Sequence, residues 1–178
     1  GNWDWPNKNF WFGRLRTTNS TGFKFYMWDF ENTMGNNLDR SPVNMVTPRS
    51  GTESSWVGQP HFYLKNLAEY RVDFGDRVHN FFFNGGILTT NALIHRYRAL
   101  ADLVELSILA ESARWGDDNL NPPQDIDDWR RERDWMLGTY LPQRSDVVLQ
   151  QFRTGGLYPA VPAPVFNQHG GSVPAGFA

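Results

Sequence analysis

The chain contains no cysteine, which excludes disulfides and thiolate metal sites and is compatible with an extracellular setting. It contains no apolar stretch long enough to cross a bilayer. Charge of one sign is also missing. Seventeen Lys and Arg stand against 19 Asp and Glu, for a net charge of −2, and no basic run appears, so nothing argues for a nucleic-acid partner. The four histidines, His61, His79, His95 and His169, show no paired metal-ligand spacing. There is no Gly-x-Ser-x-Gly elbow and no internal repeat.

What is present is aromatic. Eight Trp and 13 Phe in 178 residues, with 40% hydrophobic content, supply the core of one domain or a large piece of one. The first 35 residues hold the best candidate for chemistry. Asp4 and Asn9 are separated by four residues, and a pair with this spacing is expected about once by chance in a chain of this composition. A second pair, Asp39 and Asn44, lies in a loop with Pro42 and no strand pattern after it. Context favours the first. Phe10 to Arg16 is an aromatic-rich strand candidate, Thr17 to Gly22 is a turn-forming run, and Phe23 to Trp28 is a second strand candidate.

Folding that hairpin about its six-residue turn pairs Arg16 with Phe23. Phe10 then falls near Asp29 and Asn9 near Phe30, with Asp4 just before the same open end. A carboxylate there can orient or deprotonate a hydroxyl, while an amide oxygen and a second carboxylate can hold Mg²⁺, a hard cation that prefers oxygen. Glu31, two residues after Asp29, shares its side of an extended backbone and can assist the metal. Lys8 can neutralise phosphate or sit in solvent. The plainer reading is that an Asp and an Asn in such a segment only cap or turn the backbone. Trp3, Trp5 and Trp11 can line a substrate or sugar platform, or belong to a core.

These residues resemble the C-terminal part of the spore-coat protein H (CotH) kinase family, an atypical branch of the protein-kinase-like fold. The resemblance rests on Asn2-Trp3-Asp4 with Lys8-Asn9-Phe10, and on Trp28-Asp29-x-Glu31-x-Thr33-x-Gly35. Phe81 to Thr89, Glu111 to Asp117 and Gly156 to Pro159 extend it across roughly residues 1 to 170. It implies ATP- and Mg²⁺-dependent phosphoryl transfer to a protein hydroxyl. By position, Asp4 resembles the catalytic aspartate, Asn9 the metal-binding amide, and Asp29 the metal-binding carboxylate of the segment that other kinases write Asp-Phe-Gly. Here that segment reads Asp29-Phe30-Glu31, so a glycine-based flip is not available.

No Gly-rich phosphate loop, and no strand lysine with a helix glutamate partner, can be placed. The expectation is therefore a C-terminal lobe, inactive alone, from a secreted or cell-surface protein. The alternative expectation is a non-catalytic extracellular assembly module with self-association or glycan contact. The triplet Asp73-Phe74-Gly75 is a decoy, because Leu67, Tyr70, Phe74, Val78 and Phe81 or Phe82 recur at helical spacing around it.

The expected fold class is α+β, mainly α: an N-terminal β-hairpin, a helical bundle over the rest of residues 1–156, and an extended Pro- and Gly-rich tail or linker over 157–178. Residues 36–59 read as a long loop, the place of an activation and docking segment in a kinase-like fold. A short helix and a longer one should run from Pro60 to about Phe83 and end at Gly85-Gly86. Thr89 or Thr90 should cap a helix over about 91–113, with Leu93 or Ile94, Tyr97, Leu100 or Ala101, Val104, Ile108 and Leu109 as one stripe. A helix from Asp125 should turn Ile126, Trp129, Trp135 or Met136 and Tyr140 inward. Asp127/Arg131 and Arg130/Asp134 are spaced as i,i+4 pairs on a solvated face. Pro142 should start or kink the last helix, which closes at Gly155-Gly156.

Overall fold

A computed structural model describes residues 8–29, 34, 58–118, 121–161, 172 and 175–176. Strands β1 (Phe10–Gly13) and β2 (Lys24–Met27) come first, followed by helices α1 (Gln59–Leu64), α2 (Ala68–Phe82) and α3 (Thr90–Trp115). Helix α4 (Ile126–Trp135) then runs through a π-helical turn (Met136–Tyr140) into α5 (Leu141–Thr154). The described part is mainly helical with one antiparallel hairpin, as the hydrophobic spacing predicts.

The hairpin differs from expectation in register. Phe10 pairs with Met27 and Gly13 with Lys24, a shift of two residues from the pairing expected from a six-residue turn. Such a shift leaves every side chain on its expected face. The strands stop at Gly13 and Lys24, so residues 14–23 form a ten-residue loop. Neither Arg14 to Arg16 nor Phe23 joins the ladder.

The turn between α2 and α3 is built from backbone needs. Asn84 and Gly85 are both left-handed, at φ 52° and 78°. The Leu88 amide then reaches back to the Phe81 carbonyl at 2.8 Å. A Cβ on Gly86 would sit 2.4 Å from the Asn80 and Phe81 carbonyl oxygens, so only glycine fits. Thr89 is the N-terminal boundary residue of α3, but its hydroxyl donates backwards to the Gly86 carbonyl at 2.8 Å and makes no cap on the helix. The Leu88 carbonyl accepts from Ser145 Oγ at 2.7 Å, which ties α5 to this turn.

Pro142 does not end the helical rod. It lacks an N–H and its ring would crowd the Gly138 carbonyl in a regular α-helix. The chain widens by one residue instead, and the Leu141 amide bonds to the Met136 carbonyl in the π pattern. Gln143 Nε2 donates to the Thr139 carbonyl at 2.8 Å. The widened turn places Met136, Tyr140 and Leu141 together in the core, against Leu93, Ile94 and Tyr97 of α3. Tyr140 and Leu141 are each only 3% exposed. Burial, and then the nearby Glu132 carboxylate, raise the Tyr97 phenol above its ordinary pKa.

A second, aromatic layer joins α1, α2 and α5. Phe152 meets the Phe74 ring edge-on at 5.3 Å. His61 Nδ1 bonds the Tyr70 hydroxyl at 2.8 Å, and burial followed by the Lys65 charge holds the imidazole below its usual pKa. Past Gly156, left-handed at φ 68°, the chain returns across α2. The Tyr158 hydroxyl bonds His79 Nδ1 at 3.0 Å. The first residues of the tail therefore pack on the helical body.

Gly75 lies on that seam. It is buried inside α2, where an added Cβ would lie 3.7 Å from the Leu157 carbonyl oxygen and 3.9 Å from Pro159 Cδ. These are ordinary contact distances. Gly75→Ala is expected to raise stability by up to about 1 kcal/mol through helix propensity, read as a higher urea midpoint. Gly75→Leu should lower it by displacing the tail. The triplet Asp73-Phe74-Gly75 is thus ordinary helix, as its spacing predicts.

The charges on α4 pair differently from the i,i+4 expectation. Arg130 bonds Asp127 at 3.1 Å, Arg131 bonds Asp128, and Arg133 bonds Asp134 at 2.9 Å. Arg130 and Arg133 also reach across to Glu105 of α3, at 2.7 and 3.0 Å. Sequence spacing along one helix does not reveal a partner on another. At the start of α4, Asp125 accepts from the Asp127 and Asp128 amides at 2.9 and 3.1 Å, and Asp128 returns a bond to the Asp125 amide at 2.8 Å. The Asp128 amide, then that of Asp127, hold the Asp125 carboxyl below its ordinary pKa.

A depressed folded value means that the cap's stabilisation is complete above the unfolded carboxylate value, roughly pH 4. It is lost as pH falls through the lower folded value. Asp125→Asn should therefore remove this part of the acid dependence of the melting temperature while keeping most of the cap. Asp125→Ala should lower the melting temperature at neutral pH as well.

Candidate functional site

The open end of the hairpin is formed by the residues flanking its two strands. Beyond the Phe10–Met27 pair, the Trp28 amide bonds the Asn9 carbonyl at 3.1 Å. The same register sets Lys8 level with Asp29. Asn9 is only 7% exposed, the one buried residue of the hairpin segment, whereas Lys8 and Asp29 are exposed. Asn9 Nδ2 lies 3.4 Å from the Asp29 carbonyl oxygen and donates to it. The amide thus spans the two chains at the point where the ladder ends.

Both residues have unusual backbones. Asn9 sits at φ 64° and Asp29 at φ 58°. Non-glycine residues reach this left-handed region at a cost, which is smallest for Asn and Asp because their short polar side chains bond locally. The two residues lie one step apart at the same hairpin end, Asn9 level with Trp28 and Asp29 level with Lys8. Asn84, in the turn between α2 and α3, adopts the same conformation for a purely structural reason.

The sequence-derived site is therefore brought together in part. Lys8, Asn9 and Asp29 converge on one end of the hairpin, although Asn9 meets Trp28 and Asp29 where Phe30 was expected. Asp4 and Glu31 lie outside the described residues. Asn9 Oδ1 and the Asp29 carboxylate are hard oxygen donors of the kind that suits Mg²⁺. Among the described residues, no group of three or more His, Cys, Asp or Glu gathers as a metal cage. No helix among them is long and apolar enough to cross a membrane.

One feature of the hairpin escaped the sequence reading. The loop forms an open cleft lined by Phe12, Arg14, Arg16, Thr17, Thr18 and Phe23. The Arg14 guanidinium lies 6.0 Å from the centre of the Phe23 ring. Arg14-x-Arg16 beside aromatic residues was the available signal, but a strand running to Arg16 would have pointed these side chains along a ladder.

No protein-family model, curated protein or solved structure matches this chain.

Proposed function

We propose that the hairpin end is the metal-binding half of a phosphoryl-transfer site of the CotH kinase type, on the C-terminal lobe of a kinase-like fold. The observation that carries this reading is the pair Asn9 and Asp29: an amide and a carboxylate 20 positions apart, both left-handed, joined across the open end of one hairpin. Asn9 and Asp29 would hold Mg²⁺ with help from Glu31, and Lys8 would offset phosphate charge. The metal would supply charge neutralisation for the transferred phosphoryl group of ATP. Asp4 would accept or orient the proton of the attacking protein hydroxyl. The near-complete burial of Asn9 fits a positioning role, because a buried amide has few rotamers left to lose.

The test is incorporation of labelled phosphate from ATP and Mg²⁺ by the full-length protein, compared with Asp4→Ala. Loss of incorporation in the variant is the expected result. Equal incorporation in both overturns the role of Asp4.

A second reading has its own observation. Trp11 and Tyr26 are cross-strand partners and are 70% and 61% exposed. Exposed aromatic side chains at this density suit a non-catalytic surface module that contacts glycans or other protein surfaces. A thermal shift on adding ATP with Mg²⁺ to the full-length protein favours the kinase reading. Its absence, together with tryptophan quenching by oligosaccharide, favours the module.

A further inference from the structure

Helix α3 carries two apolar faces. One, formed by Leu93, Ile94, Tyr97, Ala101 and Ile108, turns toward the rest of the bundle and is buried or half-buried. The other lies on the opposite side, outside the stripe expected from the sequence. It consists of Ala99, Leu103, Leu106 and Ala110, all exposed, with Leu103 at 76% and Leu106 at 78%. Leu100 and Leu109, expected at least in part to be core, stand on its two flanks at 57% and 49% exposure.

The spacing of the second face is 4-3-4. That is the seam of a coiled coil, in which every such residue meets a facing helix. Contiguous exposed apolar patches mark interaction surfaces.

We infer that this face of α3 pairs antiparallel with α3 of a second copy of the chain. The argument is the order of the residues. Ala-Leu-Leu-Ala at 4-3-4 reads the same from either end. A two-fold interface requires that if residue i meets residue j, then j meets i. Aligning two copies antiparallel about the midpoint of Leu103 and Leu106 sets Leu103 against Leu106 and Ala99 against Ala110, in both directions at once. The small residues at the two ends let the helices approach, and the four leucines fill the centre.

A partner of another kind has no need of a palindrome. The seam is about 17 Å long at 1.5 Å per residue, shorter than the ~800 Å² per partner of a standard interface requires. The dimer is therefore weak and concentration-dependent. This pairing does not depend on metal at the hairpin end.

The experiment is sedimentation of the chain between about 10 µM and about 1 mM, with Leu103→Asp and Leu106→Asp as separate variants. The expected result is a monomer–dimer equilibrium that each variant weakens at least about tenfold, with unchanged melting temperature at the dilute end of that range, where the chain is monomeric and both positions are exposed. Because the chain has no cysteine, single ones report orientation cleanly. Mixing Ala99→Cys with Ala110→Cys should give a cross-linked heterodimer with a short bismaleimide, while either variant alone should not. A monomer throughout the range overturns the proposal, as does a dimer indifferent to both aspartates. Efficient self-linking of Ala99→Cys alone shows a parallel pair and also overturns it.

Discussion

Asp29→Gly is expected to lower phosphoryl transfer by the full-length protein by about 10²- to 10⁴-fold while leaving the hairpin folded. The magnitude is that of losing one ligand to a metal that stabilises several kcal/mol of developing charge. Glycine is the informative replacement because Asp29 sits at φ 58°. It removes the carboxylate and keeps the backbone where it is, since glycine enters the left-handed region freely. Asp29→Ala removes the same carboxylate and adds roughly 1–2 kcal/mol of backbone strain.

If the carboxylate acts on the metal, the two variants lose similar activity, and added Mg²⁺ recovers part of it in both. If Asp29 serves only to turn the chain, Asp29→Gly retains activity and Asp29→Ala alone is impaired, through stability. Activity in Asp29→Gly equal to that of the unsubstituted protein would falsify the metal-ligand role. The measurement is the initial rate of phosphate incorporation as a function of Mg²⁺, beside a thermal melt of each variant.

Tyr140→Ala is expected to cost about 3–5 kcal/mol of folding stability. Tyr140 is 3% exposed, lies beside Met136 and Leu141, and its ring is 5.6 Å from that of Trp135 and 5.7 Å from the Arg144 guanidinium. Alanine leaves a cavity lined on several sides by residues of a π turn and two α-helices. Pro142 holds the turn rigidly, so the cavity cannot close by simple collapse. Domains of this size are stable by about 5–15 kcal/mol in total, so the variant sits near the edge of folding. Urea unfolding followed by circular dichroism should show a large fall in midpoint with little change in slope. Tyr140→Phe keeps the ring and should cost less than about 1.5 kcal/mol. A loss below about 1 kcal/mol in Tyr140→Ala would place the core elsewhere than around the π turn.

Helices were legible because their signals are local. Pro60, Asp125 and Gly155-Gly156 lie within a residue or two of where the chain begins or ends its helices, and Gly85-Gly86 follows the end of α2 by three residues. Apolar spacing assigned Ile126, Trp129, Trp135 or Met136 and Tyr140 to the inner side of one rod, and all are half-buried or buried there. The exclusion of Asp73-Phe74-Gly75 as a metal segment followed from the same periodicity. The hairpin was legible as a hairpin, but its register was not. Thr17 to Gly22 can close turns of several lengths, and the ladder chose a ten-residue loop. Asn9 and Asp29 still converge because the two-residue shift moves Asp29 from opposite Phe10 to opposite Lys8, both next to Asn9.

By itself, the sequence determined the class of each element, the absence of thiol chemistry, and the grouping of Asn9 with Asp29 at one hairpin end. These depend on composition, on spacing within a few residues, and on a single turn. Tertiary structure alone narrowed the expected α3 stripe to Leu93, Ile94, Tyr97, Ala101 and Ile108 and left Leu100, Val104 and Leu109 exposed. It also made Glu105 the partner of Arg130 and Arg133, and let Pro142 widen a continuous rod without ending it. The physical reason is that burial is set by what lies opposite a residue. Leu103 and Ala101, two residues apart on one helix, have similar local signals and opposite environments.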